Sequence, residues 1–234
     1  FDRMDPTVEV TPDDYDDDAA IEESVKIVSA ADMAIVVVGE RQNQIGEQAS
    51  TSTLDLPGRQ LEQLQRLAQT GTPVVLVVMT GRPVDLRWAD QNVPAILQAW
   101  YPGTRGGDAV AAVLFGVRSP AGPVPFPWAR ALGALPMIYA HNRTFQPGAQ
   151  GQRYIHEPST PLYPFGHGLS YASFEYTNLT IDRPTIGIDD TATVSVDVTN
   201  TSTLRADEVV QLYVHQRYGG ARRPVPELKG FHRV

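Results

Sequence analysis

The stretch "DMAIVVVGERQNQIGE" at residues 32–47 decides which fold class this chain can adopt. Its first half is continuously apolar and rich in β-branched residues, which is typical of a strand buried on both faces. Two further runs of this kind follow, "TPVVLVVMTG" at residues 72–81 and "VPAILQAWYPG" at residues 93–103. Such runs are typical of a parallel sheet rather than of an antiparallel sheet with one solvent-exposed face.

Segments with helical periodicity alternate with these strands. Residues 16–31 carry apolar side chains at helical spacing behind a group of acidic residues, and residues 61–67 repeat the pattern before Gly71. A third helix is expected at residues 106–116. Strands alternating with helices predict an α/β fold, here a partial α/β sandwich whose mostly parallel sheet is covered by helices.

The pattern changes in the second half of the chain. Residues 117–168 are proline-rich, and we expect them to wrap the first domain as an ordered loop. Beyond them, apolar and polar residues alternate at period two, which predicts antiparallel strands. We therefore expect an α/β domain at residues 1–170, which includes an acidic linker at residues 1–18. An incomplete all-β sandwich should follow at residues 171–234, because this segment is too short for the usual seven strands.

Composition excludes several classes of function. The formal net charge of the 234-residue chain is −8, which argues against a nucleic-acid partner because phosphate binding needs a basic surface. The chain has no cysteine, so it has neither disulfides nor thiolate metal sites. No apolar stretch approaches the roughly 20 residues of a membrane helix. The histidines show no metal-ligand spacing, and we predict no metal site and no membrane contact.

Polar loops follow the three predicted strands, and in a parallel sheet these loops meet at one edge, where ligands collect. The first loop carries Glu40 and Glu47, the second carries Arg82, and the third carries Trp100 and Tyr101. A carboxyl on a loop over a cleft suits proton transfer to a bound substrate. A surface glutamate on a turn is the alternative for either residue, and the residues alone do not decide between them. For Arg82 we expect a structural role, capping the turn between strand and helix.

Five blocks, taken together and in this order, resemble the C-terminal half of glycoside hydrolase family 3, the β-glucosidase family. The blocks are "GERQNQIGEQASTSTLDLPGRQ" (39–60), "TGRP" (80–83), "AWYPGTRGGDAVAAVLFG" (99–116), "YPFGHGLSYASFEY" (163–176) and "DEVVQLYVHQ…RPVPELKGFHRV" (207–234). The resemblance implies an incomplete α/β sandwich domain followed by a fibronectin type III-like domain. It also implies a (β/α)₈ barrel upstream, together with the first strands of the sandwich domain.

The resemblance also implies catalytic roles. In this family the barrel supplies a nucleophilic Asp, and the sandwich domain supplies a Glu as general acid/base, often ten residues before the Pro of an "LxLP" segment. Here that Pro is Pro57, which points to Glu47. Glu40 matches a Gly-Glu pair common in the family and is the alternative acid/base, or else a supporting or sugar-binding group. Trp100 and Tyr101 are candidates for an aromatic wall against a sugar face, although Trp100 is equally a core candidate. No cofactor is implied.

Three positions depart from the family pattern. Thr51 stands where many members have Arg, four residues after the acid/base, and Gly46 stands where related periplasmic enzymes often have His. Pro123 replaces the Lys of the family's "SGKLP" stretch. These departures leave the hydrogen-bond partners of Glu47 open, but not its position.

The expected function is therefore that of an exo-acting retaining β-glucosidase, of which this chain is the C-terminal, acid/base-bearing part. Its partners would be a β-glucoside or oligosaccharide substrate and the protein's own barrel, and its location would be extracytoplasmic, periplasmic or secreted. Alone, the chain should be inactive. The alternatives are a β-xylosidase or 1,3-β-glucan exohydrolase of the same family, or a non-catalytic carbohydrate-binding or scaffold module.

Overall fold

The computed structural model describes residues 17–142, 155–221 and 223–234. The predicted acidic linker at residues 1–18 lies outside them except for its last two residues, and the predicted proline-rich segment lies outside them at residues 143–154. The described residues form two compact units. The first comprises residues 17–106, 128–137 and 155–162, and the second comprises residues 107–127, 138–142, 163–221 and 223–234. The expected domain boundary after residue 170 stays a prediction.

A three-stranded parallel sheet in the order β1-β2-β3 forms the centre of the first unit. Its elements in chain order are α1 (Asp17–Ser29), β1 (Ala34–Gly39), α2 (Gln60–Ala68), β2 (Val74–Met79), α3 (Arg87–Asn92) and β3 (Ala95–Gln98). Short 3₁₀ turns lie at Gln42–Gln44 and Leu132–Ala134. All three predicted strands and the first two predicted helices are present.

The second unit contains most of the third predicted helix and four antiparallel strands. Its elements are α4 (Gly106–Leu114, of which Gly106 belongs to the first unit), β4 (Phe174–Ile181), β5 (Val194–Asn200), β6 (Val209–Val214) and β7 (Glu227–Arg233). Strand β4 pairs with β5, and β6 pairs with β7. The predicted fold class, a parallel α/β sheet followed by an incomplete all-β sandwich, is therefore confirmed.

Strand β2 is the core of the first unit. Leu76 and Val78 are completely buried, as is Leu64 on α2. Burying side chains of this size contributes about 1.5–3 kcal/mol each, which is why a continuously apolar run occupies the central strand. At the β1 edge the cover is incomplete, since Ile35 and Val37 are 48% and 60% exposed. In α1 and α2, the elements expected from periodicity, the buried side chains lie on a single face of each helix.

Helix α3 was not expected from the sequence. It has six residues, too few for apolar periodicity to become visible, and only Ala89 within it is buried. Its start is fixed by Asp85, whose carboxylate accepts a hydrogen bond of 3.0 Å from the Arg87 backbone N–H. Within the described part of the chain, no helix has both the length and the apolar surface needed to cross a membrane.

The end of β1 is unusually constrained. A Cβ atom on Gly39 would lie 1.8 Å from the carbonyl oxygen of Met79 on β2, so no side chain fits there. On its other side, Gly39 is held by the side-chain amide of Gln60, the first residue of α2. That amide accepts a hydrogen bond from the Gly39 N–H at 2.7 Å and donates one to the Gly39 carbonyl at 2.8 Å. The backbone of Gly39, from which the following loop begins, is therefore held on one side by Met79 and on the other by the Gln60 side chain.

Substituting Gly39 by alanine should destabilise the intact protein by at least about 2 kcal/mol, because the new methyl group forces β1 and β2 apart. The matched control is Gly71→Ala. Gly71 has a φ of +81° and open space around it, so alanine there costs only the backbone strain of about 1–2 kcal/mol. Urea unfolding of both variants checks this difference. Equal losses in the free energy of unfolding would show that the close approach of Gly39 to Met79 does not contribute to the cost of the substitution.

Replacing Gln60 by methionine should cost about 1–3 kcal/mol, because it leaves a backbone donor and a backbone acceptor of Gly39 without partners. Gln63→Met on the same helix is the control, since Gln63 donates one hydrogen bond, to the partly buried hydroxyl of Ser24. Thermal unfolding should show the larger drop in Tm for Gln60→Met. A larger drop for the control would contradict the role assigned to Gln60.

Candidate active site

The loops that follow the three parallel strands meet at the carboxyl edge of the sheet. Glu40 follows β1, Gly81 and Arg82 follow β2, and Tyr101 follows β3. Arg82 Nε forms an ion pair with Glu40 Oε1 at 2.8 Å, and the Gly81 N–H donates a hydrogen bond to Glu40 Oε2 at 3.1 Å. The Tyr101 ring lies against Gly81, where a Cβ atom would be 3.0 Å from Tyr101 Cε2. We call these four residues the carboxyl-end cluster.

Glu40, the alternative candidate for the acid/base, is the charged centre of this cluster. Only 6% of its side chain is exposed, and both of its carboxylate oxygens are already engaged, one by the Arg82 guanidinium and the other by a hydrogen bond from the Gly81 N–H. A buried carboxylate is tolerated when it is paired and hydrogen-bonded in this way. The contacts of Glu40 are thus those of a structural ion pair.

The two aromatic candidates differ in their surroundings. Trp100, at a φ of +53°, packs its ring on the buried Trp128, with ring centroids 5.9 Å apart and planes tilted by 40°. Tyr101 is 42% exposed. Its burial and then the negative charge of Glu40 raise the pKa of the Tyr101 phenol above its ordinary value. Of the two, Tyr101 offers the more accessible face, with a neutral hydroxyl that can donate a hydrogen bond.

Glu47 lies on a tight turn within the loop. The Ala49 N–H donates to the Gly46 carbonyl at 3.2 Å, which makes Glu47 and Gln48 the central residues of a β-turn. Gln48 has a φ of +64°, the sign that the third position of a type II turn requires, and Gly46 has a φ of +97°. Two residues with positive φ therefore flank Glu47, and the loop bends there.

The Glu47 side chain is exposed. It makes no ion pair or hydrogen bond with any side chain or backbone group in residues 17–142, 155–221 or 223–234. The structure therefore brings Glu40 and Tyr101 together in the carboxyl-end cluster and places Glu47 apart from them, at the tip of the turn. Its assignment as the acid/base stays a prediction.

Arg82 does not have the role expected of it. Instead of capping the turn that leads to α3, its Nη2 donates to the carbonyl oxygens of Gln44 at 2.8 Å and Ala49 at 3.1 Å. The reason is the register of the sheet. Gly39 pairs with Met79, so the segment after β2 runs directly beside the loop after β1. Gln60 is the residue of the site that sequence reasoning missed, and its only sequence signal was its place in a family block. Arg82 was located at the sheet edge from the sequence, but its contacts with the loop were not.

No group of three or more His, Asp or Glu side chains suited to a metal ion occurs among the residues that the structure describes. The chemistry that the site offers is therefore that of carboxyl, guanidinium and phenol groups. The Glu40 carboxylate is held in an ion pair, and the Glu47 carboxylate, on a bent loop, has no partner in the part of the chain that the structure describes.

Comparison with known proteins gives two family matches. Residues 4–171 match the model of the glycosyl hydrolase family 3 C-terminal domain, and residues 208–234 match that of a fibronectin type III-like domain. A periplasmic β-glucosidase of Salmonella typhimurium is 40% identical over 222 residues, covering 92% of this chain and 29% of that protein. A β-xylosidase of Formosa agariphila is 40% identical over 212 residues, covering 91% of this chain and 29% of that protein.

Solved structures agree with these matches. The β-glucosidase of Listeria innocua in complex with glucose superposes with a TM-score of 0.88 at 30% identity, covering 94% of this chain and 31% of that one. The chain thus spans less than a third of the length of the relatives it matches. Since the first family model covers well over half of the sequence, the chain belongs to glycoside hydrolase family 3, to whose C-terminal α/β domain and fibronectin type III-like domain its residues correspond.

Proposed function

We propose that this chain is the acid/base-bearing part of an exo-acting retaining β-glucosidase that hydrolyses terminal β-D-glucosyl residues. The observation that carries the proposal is the placement of Glu47. Its carboxyl group is presented on a tight turn near the carboxyl edge of the sheet and has no partner among the described residues. That edge is where ligands bind in parallel α/β sheets.

The reaction requires a second carboxylate. In the retaining mechanism a nucleophilic Asp attacks the anomeric carbon as the glycosidic C–O bond breaks, and the acid donates its proton to the departing oxygen. The same residue, now a carboxylate, takes a proton from the water that releases the sugar. In our proposal Glu47 performs both proton transfers, and the Asp belongs to the (β/α)₈ barrel that the family resemblance implies. The two carboxyl groups must then approach to about 5–5.5 Å, so the turn has to reach the barrel.

Glu40 suits the acid/base role less well. A general acid must reach the substrate oxygen within hydrogen-bond distance. The side chain of Glu40 is 6% exposed, and its oxygens are engaged by an ion pair with Arg82 and a hydrogen bond from Gly81. Moving it toward a substrate would leave a partly buried guanidinium without its counterion, which is costly. Glu40 is better suited to hold the loop than to donate a proton.

The name of the Salmonella relative supports an extracytoplasmic location for the protein. Because the chain contributes only one of the two carboxyl groups that retention needs, we expect it to be inactive when produced alone.

A β-xylosidase is the second candidate, favoured by the 40% identity to the enzyme of that name from Formosa agariphila. A 1,3-β-glucan exohydrolase is a further alternative. It is supported by a structure of a mutant Listeria innocua β-glucosidase in complex with laminaribiose, which superposes with a TM-score of 0.86 at 29% identity. Comparing kcat/KM on aryl β-glucosides and aryl β-xylosides, and on cellobiose and laminaribiose, separates these substrates in the intact protein.

Replacing Glu47 by alanine in the intact protein should lower kcat/KM for cellobiose by about 10²–10⁴-fold, because an alkoxide leaving group needs a proton. Hydrolysis of 2,4-dinitrophenyl β-glucoside should be retained far better, because dinitrophenolate leaves without one. Azide should accelerate breakdown of the glycosyl-enzyme and yield β-glucosyl azide. Glu23→Ala, which removes an exposed glutamate on α1, is the control and should leave both substrates unaffected.

The opposite outcomes are equally specific. If Glu40→Ala instead gives the leaving-group dependence and the azide product, Glu40 is the acid/base. If neither substitution affects hydrolysis, the chain is a carbohydrate-binding or scaffold module.

A further inference from the structure

We propose that Arg82 is the positioning residue of this site. It fixes the position of the turn that carries Glu47 relative to the carboxyl edge of the sheet. The inference rests on the proposed function, since it assigns to Arg82 a task that matters only if Glu47 transfers protons. It concerns a residue that does not itself touch the substrate.

Three contacts of one guanidinium carry the inference. Nε forms an ion pair with Glu40 Oε1 at 2.8 Å, and Nη2 donates to the carbonyl oxygens of Gln44 at 2.8 Å and Ala49 at 3.1 Å. These two carbonyls lie three residues before and two residues after Glu47. A single planar group therefore ties both ends of the segment that bears the acid/base.

The guanidinium is itself held in place. Arg82 is 25% exposed, and its counterion Glu40 is fixed in turn by the Gly81 N–H at 3.1 Å. Glu40 directly follows β1, and Gly81 lies two residues past the end of β2. The chain of contacts thus runs from the ends of two paired strands, through the ion pair, to the turn.

An apolar contact strengthens the same connection. A Cβ atom on Gly81 would lie 3.6 Å from Ile45 Cγ2 and 3.0 Å from Tyr101 Cε2, so Ile45 packs close to the Gly81 backbone. Ile45 immediately precedes Gly46 and the turn. The segment is therefore attached to the strand ends by a hydrogen-bonded contact through Arg82 and by a packed contact through Ile45.

The turn needs such support because its own conformation is unfavourable. Gln48 has a φ of +64°, a region that residues other than glycine seldom occupy, and glycine at position 46 adds conformational freedom. Released from Arg82, the turn would sample other conformations and Glu47 would lose its position. Proton transfer requires a heavy-atom distance of about 2.6–3.2 Å, and a misplacement of about 1 Å lowers rates by about 10²-fold.

Lysine cannot replace arginine here. An ammonium group is a point charge on a flexible stem, whereas the guanidinium presents its donors in a rigid fork. Lysine would keep the counterion of Glu40 and so preserve folding, but it would not bridge both carbonyls. The two properties of Arg82, charge compensation and positioning, are therefore separable by substitution.

The test compares Arg82→Lys and Arg82→Met in the intact protein, each with and without Glu47→Ala, on cellobiose and on 2,4-dinitrophenyl β-glucoside. We expect both variants to lower kcat on cellobiose by about 10²-fold while changing KM little, and to leave the dinitrophenyl substrate nearly unaffected. In the Glu47→Ala background neither should lower kcat further, because the group that they position is gone. Only Arg82→Met, which leaves Glu40 buried without its counterion, should also lower Tm.

The matched control is Arg87→Met. Arg87 is also a partly buried arginine, paired with Asp85 and Glu157, and among the described residues it makes no hydrogen bond or ion pair with residues 44–49. Its loss should lower Tm without any dependence of activity on the leaving group. A leaving-group dependence in Arg87→Met as large as in Arg82→Lys would mean that the effect reports general loosening, and it would overturn the inference.

Failure of the inference and failure of the proposed function give different experimental results. If Glu47→Ala shows the acid/base pattern but Arg82→Lys slows both substrates equally, or adds to the loss in Glu47→Ala, positioning by Arg82 is refuted and the function stands. If Glu47→Ala shows no dependence on the leaving group, the proposed function is refuted, and the positioning role is refuted with it.

Discussion

The ion pair between Glu40 and Arg82 is the constraint on which the arrangement of this site depends. Parallel pairing of β1 with β2 sets Gly39 opposite Met79, so the residues that follow the two strands emerge side by side. Burying the Glu40 carboxylate would be costly, but the guanidinium and the Gly81 N–H compensate its charge. Once the guanidinium is fixed in this way, its remaining donors are directed at the loop. Sheet register, rather than the loop's own residues, thus determines where the loop lies.

Two glutamates on one loop then have complementary tasks. Glu40 is withdrawn from solvent and engaged by two donors, whereas Glu47 is exposed and unengaged within the described residues. A group that must exchange protons with a substrate has to be accessible, yet it must also be held within a fraction of an ångström of its working position. Separating the two demands between two residues satisfies both. The first anchors the backbone, and in our proposal the second performs the chemistry.

Much of this fold could be predicted from the sequence, because continuously apolar strands and amphipathic helices leave patterns within a few residues. The three strands of the parallel sheet and helices α1 and α2 were located in this way. Helix α3 was missed because six residues are too few to display a period. The contacts of Arg82 and Gln60 were missed for a different reason. Each joins segments that are 21 or more residues apart, and their meeting depends on strand register and helix placement, which no local pattern encodes.

The division between residues that anchor the loop and the residue proposed to perform the chemistry also matters at the positions where this chain departs from the family pattern. Thr51 and Gly46 stand where the family pattern implies an arginine and, in related periplasmic enzymes, a histidine beside the proposed acid/base, so support from within the segment is reduced. Thr51 makes only a local turn, its hydroxyl donating to the Thr53 carbonyl at 3.2 Å and accepting from the Thr53 N–H at 3.3 Å. The contacts that hold the turn come instead from Arg82, which lies on the neighbouring strand's loop. A turn anchored from outside can change its own sequence without losing its position, since the carbonyl groups that Arg82 binds are present whatever the side chains are. The departures therefore alter the immediate surroundings of Glu47 while its backbone stays tied to the sheet.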